Sequence, residues 1–287
     1  MASLRDIRRR IKGVQNIRQV TKAMNMIAAA RLRRAQSKAE SARPYADRLS
    51  QILKDVVASS GGAALHPLMA QREVRNVALI LVTADRGLCG AFNAGIIREA
   101  QQFLIDQTVP VELITVGRKG REYFQRLGYK IAQHFPQPSR DVRLEEVGII
   151  SKRIVNGYGA GEYDQVHLAY AKFISVLKSE PTVTQLLPLG HGPEAGRSTN
   201  TYQFEPDAEE LLDTLLPLYV EALVYRALVE ALASEQAARM IAMKSATDSA
   251  SDMINSLTRE YNGARQSSIT KALLEVVAGA DALAKKE

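Results

Sequence analysis

The chain has 287 residues, of which 46% are hydrophobic and 24% charged, a composition that excludes a protein disordered throughout. Its longest uninterrupted apolar run, 77–82, is too short to cross a bilayer as a helix. The single cysteine, Cys89, excludes an internal disulfide and a cysteine-based metal cluster, and it fits a reducing compartment. The net charge of +7 is unevenly spread: residues 1–60 carry 14 Lys and Arg against 4 Asp and Glu, whereas residues 206–287 carry 8 against 13.

Glycine and proline divide the chain into three parts. Fifteen of the 18 glycines and seven of the 10 prolines fall within 61–205, and the two flanks are nearly free of both. We therefore predict an N-terminal coiled-coil helix over 1–60, a globular α/β domain over 61–205 and a C-terminal coiled-coil helix over 206–287. The opposite net charges of the flanks favour an antiparallel pairing of the two helices, with the α/β domain inserted between them.

The first predicted helix begins at a capping box formed by Ser3 and Asp6. We expect it to extend to about Val57 with a kink at Pro44, a length of roughly 75–80 Å. A helix of this length cannot lie within a domain of about 145 residues, so it needs a partner along its length. Apolar side chains recur at steps of three and four, as on one face of a helix: Leu4, Ile7, Ile11, Val14, Ile17, Val20, Met24 and Ile27.

The basic charge of this helix has three interpretations. It is a solvated face of a coiled coil, an organelle presequence, or an arm that binds nucleic acid phosphates. The pattern continues beyond the usual length of a presequence, and the only aromatic residue, Tyr45, offers no platform for stacking bases. A nucleic-acid-binding coiled-coil protein therefore stays open as the alternative function.

The middle region has the alternation of an α/β sheet. We predict strands at 76–83, 111–116, near 165–171 and near 182–187, and helices near 93–107 and 119–127. This order implies a Rossmann-like sheet with right-handed crossovers.

Three glycine-containing segments of this region are candidates for a nucleotide site. The segment 85–90 follows a strand but lacks the Gly-Lys-Ser/Thr ending of a P-loop, 117–120 has two of the three dinucleotide glycines, and 157–161 precedes a strand. The four histidines are dispersed. We therefore expect no catalytic residues, no metal site and no cofactor, and we interpret Cys89 as a small buried hydrophobe.

The second predicted helix begins at a capping box over 207–210, and Pro217 is expected to kink or interrupt its first turns. Its apolar face follows the period of a helix: Leu228, Leu232, Met240, Met243, Thr247, Ala250, Ile254, Leu257, Tyr261 and Ala264.

The second helix is the longer of the two, so about 20 residues, roughly 30 Å, are expected to extend beyond the pair. Apolar side chains lie on most sides of this end: Ile269, Leu273, Leu274, Val276, Val277, Ala278 and Leu283. A helix that is apolar nearly all round is buried. We expect a partner protein to enclose this end, with a tail folded back on its own domain as the alternative.

Six ordered motifs make the chain resemble the gamma subunit of F-type ATP synthases. They lie at 2–11, 17–24, 83–90, 204–207, 235–248 and 261–270. The resemblance implies a non-catalytic rotor shaft, present in a single copy, that couples rotation of a proton-driven membrane c-ring to ATP synthesis. Its implied partners are the alpha and beta subunits of the catalytic hexamer, the epsilon subunit and the c-ring.

The resemblance also assigns partner contacts to the helical arms. Lys22 and Met24 match positions that face acidic lever segments of the catalytic subunits. Arg265, Gln266 and Thr270 match positions that hydrogen-bond a loop on one of those subunits.

A third group of contacts, Tyr202, Phe204 and Glu205, matches the foot that docks on the ring. Plastid members carry an inserted cysteine pair, which this chain with its single Cys89 does not have. The resemblance and the Met-Ala start favour a bacterial member, peripheral at the cytoplasmic face of the cell membrane.

Overall fold

A computed structural model describes residues 3–59, 66–138, 141–189 and 208–284. The elements in chain order are α1 (Leu4–Ser59), a short 3₁₀ turn (Pro67–Met69), β1 (Val77–Val82), α2 (Phe92–Asp106), β2 (Val111–Val116), α3 (Arg118–Arg126), β3 (Ile131–Phe135), α4 (Leu144–Gly159), β4 (Gln165–Phe173), β5 (Ser179–Leu187) and α5 (Ala208–Ala284). Residues 1–27 and 240–287 form one compact unit, and residues 28–239 form the other. The predicted fold class, two long terminal helices with an inserted α/β sheet, is confirmed.

In the first unit the N-terminal part of α1 pairs with the C-terminal part of α5. The helices are antiparallel, because positions that increase along α1 meet positions that decrease along α5. Three hydrogen bonds fix this register: Arg8 Nη2 to Tyr261 Oη at 2.5 Å, Thr247 Oγ1 to Thr21 Oγ1 at 2.8 Å, and Asn25 Nδ2 to the Met240 carbonyl at 2.7 Å. The predicted antiparallel pairing is therefore present.

The start of α1 has the predicted capping box. The Ser3 hydroxyl accepts a hydrogen bond from the Asp6 amide at 3.2 Å and donates one to the Asp6 carboxylate at 2.8 Å. The Asp6 amide also donates to the Ser3 carbonyl at 2.9 Å, so the hydroxyl is a second acceptor for the same backbone donor at this helix end.

The expected interruption at Pro217 does not occur. Helix α5 starts at Ala208 and continues through the proline, just as α1 continues through Pro44. A proline removes one backbone hydrogen bond, but Leu216 and Val220 on either side are 2% and 0% exposed. Burial of these neighbours offsets the lost bond. The capping box predicted over 207–210 starts outside the described residues.

The apolar face predicted for α1 is wrong in part. Ile17, Val20 and Ile27 are 56%, 58% and 52% exposed. The predicted row advances by about 3.3 residues per step, less than a helical turn of 3.6, so it winds around the helix and leaves the contact with α5. The side chains that stay inward recur every seven residues, as in a coiled coil: Ile7, Val14, Thr21 and Ala28.

The apolar face predicted for α5 is confirmed. Its members in the first unit are buried or half-buried, whereas most of the positions between them are exposed. They keep a strict seven-residue repeat, with Met243, Ala250 and Leu257 as one series. A seven-residue repeat keeps the same side of the helix against its partner.

The second unit holds a five-stranded sheet in the order β3-β2-β1-β4-β5. The first four strands are parallel, and β5 pairs antiparallel with β4. Every residue of β1 is at most 1% exposed, which explains its uninterrupted apolar sequence. The predicted strands and helices are confirmed, but β3 and α4 were not predicted. Strand β3 is only partly buried, and α4 contains Gly148 and Gly157, which are typical of loops.

Candidate functional site

The crevice at the carboxyl ends of β1 and β4 is the place where an α/β sheet of this kind would bind a ligand. The chain continues from β1 to β2 and β3 on one side, and β4 lies on the other, so the strand order reverses here. In this protein α5 lies across the crevice. The Ser234 hydroxyl donates to the Ala171 carbonyl of β4 at 3.0 Å, and Arg239 donates to the Gly87 carbonyl in the loop after β1 at 3.2 Å.

A buried ion pair on α5 is the centre of this contact. Arg239 Nη1 donates to Glu235 Oε1, and the two residues are 9% and 4% exposed. Gln137, which follows β3, donates its amide to Glu235 Oε2 and accepts from the Asp85 amide at 3.1 Å. We call these four residues the Arg239 cluster. They connect one turn of α5 to the ends of β1 and β3.

The glycines after β2 serve close packing beside this cluster. Gly117 has φ +93°, and a Cβ there would lie 2.0 Å from the Thr83 carbonyl oxygen, so no other residue fits. The Gly120 amide donates to the Thr83 hydroxyl at 2.9 Å, and the Arg118 amide donates to Asp85 Oδ1 at 2.8 Å. The segment 117–120 therefore hydrogen-bonds to its own chain.

Cys89 lies in the loop between β1 and α2 and is 2% exposed. Asn93 donates to its sulfur at 3.2 Å and accepts from the Ala84 amide at 2.9 Å. Burial raises the pKa of the Cys89 thiol, which keeps it protonated and unreactive. The prediction of a small buried hydrophobe agrees with this environment.

The polar groups of the Arg239 cluster are hydrogen-bonded to one another or to the backbone. Its arginine is already neutralised by Glu235 and its donors are used by protein carbonyls, so it offers little to a phosphate. Within the described residues, no group of three His, Cys, Asp or Glu side chains has the arrangement of a metal site. The same part of the chain contains no helix with the length and hydropathy needed to span a membrane.

Reasoning from the sequence did not find the Arg239 cluster. Glu235 and Arg239 lie within the motif 235–248 and Asp85 lies within the motif 83–90, whereas Gln137 lies in neither, so the joint presence of the two motifs was the available signal. Their contact depends on a separation of about 150 residues along the chain, as in the bond from Arg239 to Gly87.

The predicted contact residues of α1 lie in the paired part of the first unit. Lys22 is exposed, and Met24 is half-buried. Thr21 and Asn25, beside them, make the hydrogen bonds to α5 that fix the register. Lys22 is therefore presented outward from a turn whose position is fixed.

The predicted contact residues of α5 lie where α1 ends. Because Arg8 is level with Tyr261, the first helical residue of α1, Leu4, is level with about residue 265. Arg265, Gln266 and Thr270 are all exposed.

Among the described residues no part of α1 lies beside α5 beyond this point, and we call residues 266–284 the unpaired helix end; its length is roughly 28 Å. Its large apolar side chains are 52–71% exposed: Ile269, Leu273, Leu274, Val276 and Val277. The predicted extension beyond the helix pair is thus present. The third predicted group, Tyr202, Phe204 and Glu205, lies outside the described residues.

These features define a class of protein. Two helices pair in one unit, and in the other a helix fills the crevice where related sheets hold nucleotides. Such a chain works through helix contacts and belongs among structural subunits of larger assemblies.

Comparisons with known proteins specify the family. The family model described as ATP synthase matches residues 3–283. The ATP synthase gamma chain of Pelotomaculum thermopropionicum is 47% identical over 284 residues, covering 99% of this chain and 100% of the relative. That of Moorella thermoacetica is 42% identical over 283 residues, with 99% and 100% covered.

Solved structures agree with this result. A chain of the central stalk and c-ring structure of Tetrahymena thermophila mitochondrial ATP synthase matches with a TM-score of 0.63 and 28% identity, covering 79% of this chain and 99% of that one. A chain of the Euglena gracilis mitochondrial enzyme, at 15% identity and a TM-score of 0.68 over 98% of this chain and 94% of that one, supports the fold alone.

The chain belongs to the gamma chain family of ATP synthases. It is a non-catalytic subunit of the central stalk, the rotor of the enzyme. The comparisons lend no support to the nucleic-acid-binding alternative.

Proposed function

We propose that this gamma chain turns as a single copy inside a hexamer of alpha and beta subunits, with its α/β domain beside an epsilon subunit and a membrane c-ring. Rotation of the ring would then be coupled to conformational change at catalytic sites on the hexamer, and this coupling requires no chemical reaction on the gamma chain itself. The complex would hold the chain as a peripheral protein at the cytoplasmic face of a bacterial membrane.

The observation that carries this proposal is the unpaired helix end. Five large apolar side chains lie on it at least half exposed, and burial of each stabilises a complex by about 1.5–3 kcal/mol. Contacts of this kind have no preferred direction, so an apolar sleeve can enclose the helix without holding it at one angle. The end is therefore suited to a bearing inside the hexamer.

Residues that can make directional hydrogen bonds lie where the unpaired helix end begins. Arg265 and Gln266 are exposed, and a guanidinium beside an amide can make charge-assisted hydrogen bonds to a carboxylate. We infer that these residues, with Thr270, hold one catalytic partner at a given angle of the shaft. Lys22 and Met24 would face acidic segments of the same partners.

Force has to pass from the α/β domain to α5, and the Arg239 cluster is suited to this task. It bonds α5 to the ends of β1 and β3, and α5 is continuous from Ala208 to Ala284. Buried and charge-assisted bonds resist displacement more than exposed ones do. Tyr202, Phe204 and Glu205 are proposed as the contact with the ring.

Reconstitution tests the proposal. The full chain is mixed with purified alpha and beta subunits of a relative, and ATP hydrolysis and rotation of single complexes are recorded. We expect activity to depend on the added chain, and a chain ending at Tyr261 serves as the control that lacks Arg265 and the whole unpaired helix end, including Gln266 and Thr270. Absence of stimulation, together with salt-sensitive DNA binding by the full chain, would favour the nucleic-acid alternative instead.

A further inference from the structure

The segment that leads from α1 to β1 is held within the second unit by hydrogen bonds to distant parts of the chain. We call residues 66–70 the strap. The Leu68 carbonyl accepts a hydrogen bond from the amide of Leu189, which follows β5, at 2.9 Å. The Ala70 carbonyl accepts one from the hydroxyl of Tyr158, near the end of α4, at 2.8 Å. The strap therefore connects the ends of β5 and α4.

His66, at the start of the strap, uses both nitrogens of its ring. Nδ1 accepts a hydrogen bond from the Leu68 amide at 3.1 Å, and Nε2 lies 3.1 Å from Asp213 Oδ1 on α5. The Leu68 amide belongs to the 3₁₀ turn Pro67–Met69, and the first donors of such a turn need an acceptor from outside its own backbone. The ring makes both hydrogen bonds only as the neutral tautomer with its hydrogen on Nε2, because an acceptor nitrogen carries no hydrogen.

A proton added to this ring must bind Nδ1, the nitrogen that faces the Leu68 amide. Two N–H donors would then face each other, so the amide of a residue that is 2% exposed loses this acceptor. The contact with Asp213 responds in the opposite way, because an imidazolium and a carboxylate form an ion pair. The Asp213 side chain is 65% exposed, however, and ion pairs that water reaches contribute little. The two contacts therefore favour different protonation states of one ring.

The surroundings of the ring decide which form is favoured. The His66 side chain is 13% exposed, and burial lowers its pKa below the usual 6.5, whereas the Asp213 carboxylate raises the pKa by less. Among the described residues, Asp213 is the one charged group whose field acts on the ring. The 3₁₀ turn contributes the buried apolar side chain of Leu68, and α4 and β5 contribute Tyr158 and Leu189 to the strap. The neutral form is therefore the stable one near pH 7.

We propose that His66 is a pH-sensitive switch between two partners. The neutral ring caps the strap at Leu68 and donates to Asp213, whereas the protonated ring gives up the cap and keeps the ion pair with α5. Acidification therefore releases the strap from the ring, while the start of α5 keeps its contact with His66. The switch is independent of the proposed rotation, because it requires only the second unit.

Two measurements on the full parental chain test this switch. Nitrogen chemical shifts of the His66 ring report its tautomer in NMR spectra, and we expect the hydrogen on Nε2 near pH 7.5 and on both nitrogens near pH 4.5. Hydrogen exchange of the Leu68 amide, divided by its intrinsic rate at each pH, reports the cap. Protection of this amide should fall roughly tenfold over the same interval, because a capping hydrogen bond is lost.

Three variants separate the two partners. His66→Asn keeps an oxygen that can cap the Leu68 amide but does not titrate in this interval, so protection should stay high at both pH values. Asp213→Asn removes the charge that raises the pKa of His66 and should move the loss of protection to lower pH. His134→Gln, a matched change at another half-buried histidine of the second unit, should leave the pH dependence at Leu68 at its parental value.

The proposal is overturned if Leu68 keeps its protection near pH 4.5, or if the neutral ring of His66 carries its hydrogen on Nδ1. It is also overturned if His66→Asn shows the parental loss of protection or His134→Gln abolishes it, because another group then titrates. An unchanged midpoint in Asp213→Asn would remove Asp213 as the second partner. The ring measurement uses the parental chain, so it decides the question even if a variant does not fold.

Discussion

Removal of the Arg239 guanidinium should destabilise the second unit strongly. In Arg239→Met the Glu235 carboxylate, 4% exposed, keeps the Gln137 amide as its one hydrogen-bond partner among the described residues. Breaking a buried ion pair from one side costs about 3–5 kcal/mol, because a charge is left without compensation. At about 2–4 °C per kcal/mol for a domain of this size, the unfolding midpoint should fall by roughly 6–20 °C.

Calorimetry of the full chain measures this effect, and two further variants separate its causes. Arg75→Met removes a pair whose side chains are 76% and 78% exposed, and it should change the free energy of unfolding by less than about 1 kcal/mol. Glu235→Gln combined with Arg239→Met removes both charges and should regain much of the loss. If Arg239→Met alone behaves like Arg75→Met, the cluster does not fasten α5 to the sheet.

Four further outcomes are expected. The full chain alone should not hydrolyse ATP, as a phosphate-release assay with purified protein checks. Deletion from Leu273 onward should leave a reconstituted complex able to assemble and hydrolyse ATP, with reduced torque in single-molecule rotation; complete loss of assembly would make this end an anchor. Arg265→Ala with Gln266→Ala should lower coupled ATP synthesis per assembled complex, with Arg265→Lys recovering only part because lysine lacks the fork. Burial lowers the pKa of the His167 imidazole below its usual 6.5. The unfolded state therefore binds more protons than the folded state once the pH is below 6.5, so the free energy of unfolding should fall as the pH drops from 7 to 5. In chemical denaturation at several pH values, His167→Phe should flatten this dependence.

Periodicity was sufficient to predict that α1 and α5 are long helices and that β1 is a buried strand. It failed where partner geometry decides which side of a helix faces inward. Thr21 and Asn25 are polar, yet they hydrogen-bond α5, whereas the apolar Val20 beside Thr21 is 58% exposed. The pairing of two helices is a tertiary property that the hydrophobic pattern of one helix does not contain.

The Arg239 cluster could not be predicted for a related reason. Glu235, Gln137 and Asp85 are ordinary polar residues in three separate segments, and each has many possible partners in the sequence. Only the topology, which brings the ends of β1 and β3 beneath one turn of α5, selects them.

The filled crevice explains why an α/β sheet can serve in a rotor without an active site. In related folds this crevice binds a ligand reversibly, so the polar groups that line the crevice face water when no ligand is bound. Here Arg239 and Ser234 donate hydrogen bonds to backbone carbonyls at this crevice, from a helix that also carries the unpaired helix end. The position that binds substrates elsewhere thus becomes the place where a sheet is fixed to a helix. A nucleotide entering this crevice would first have to displace a buried ion pair, which is a physical reason for catalysis to reside on other subunits.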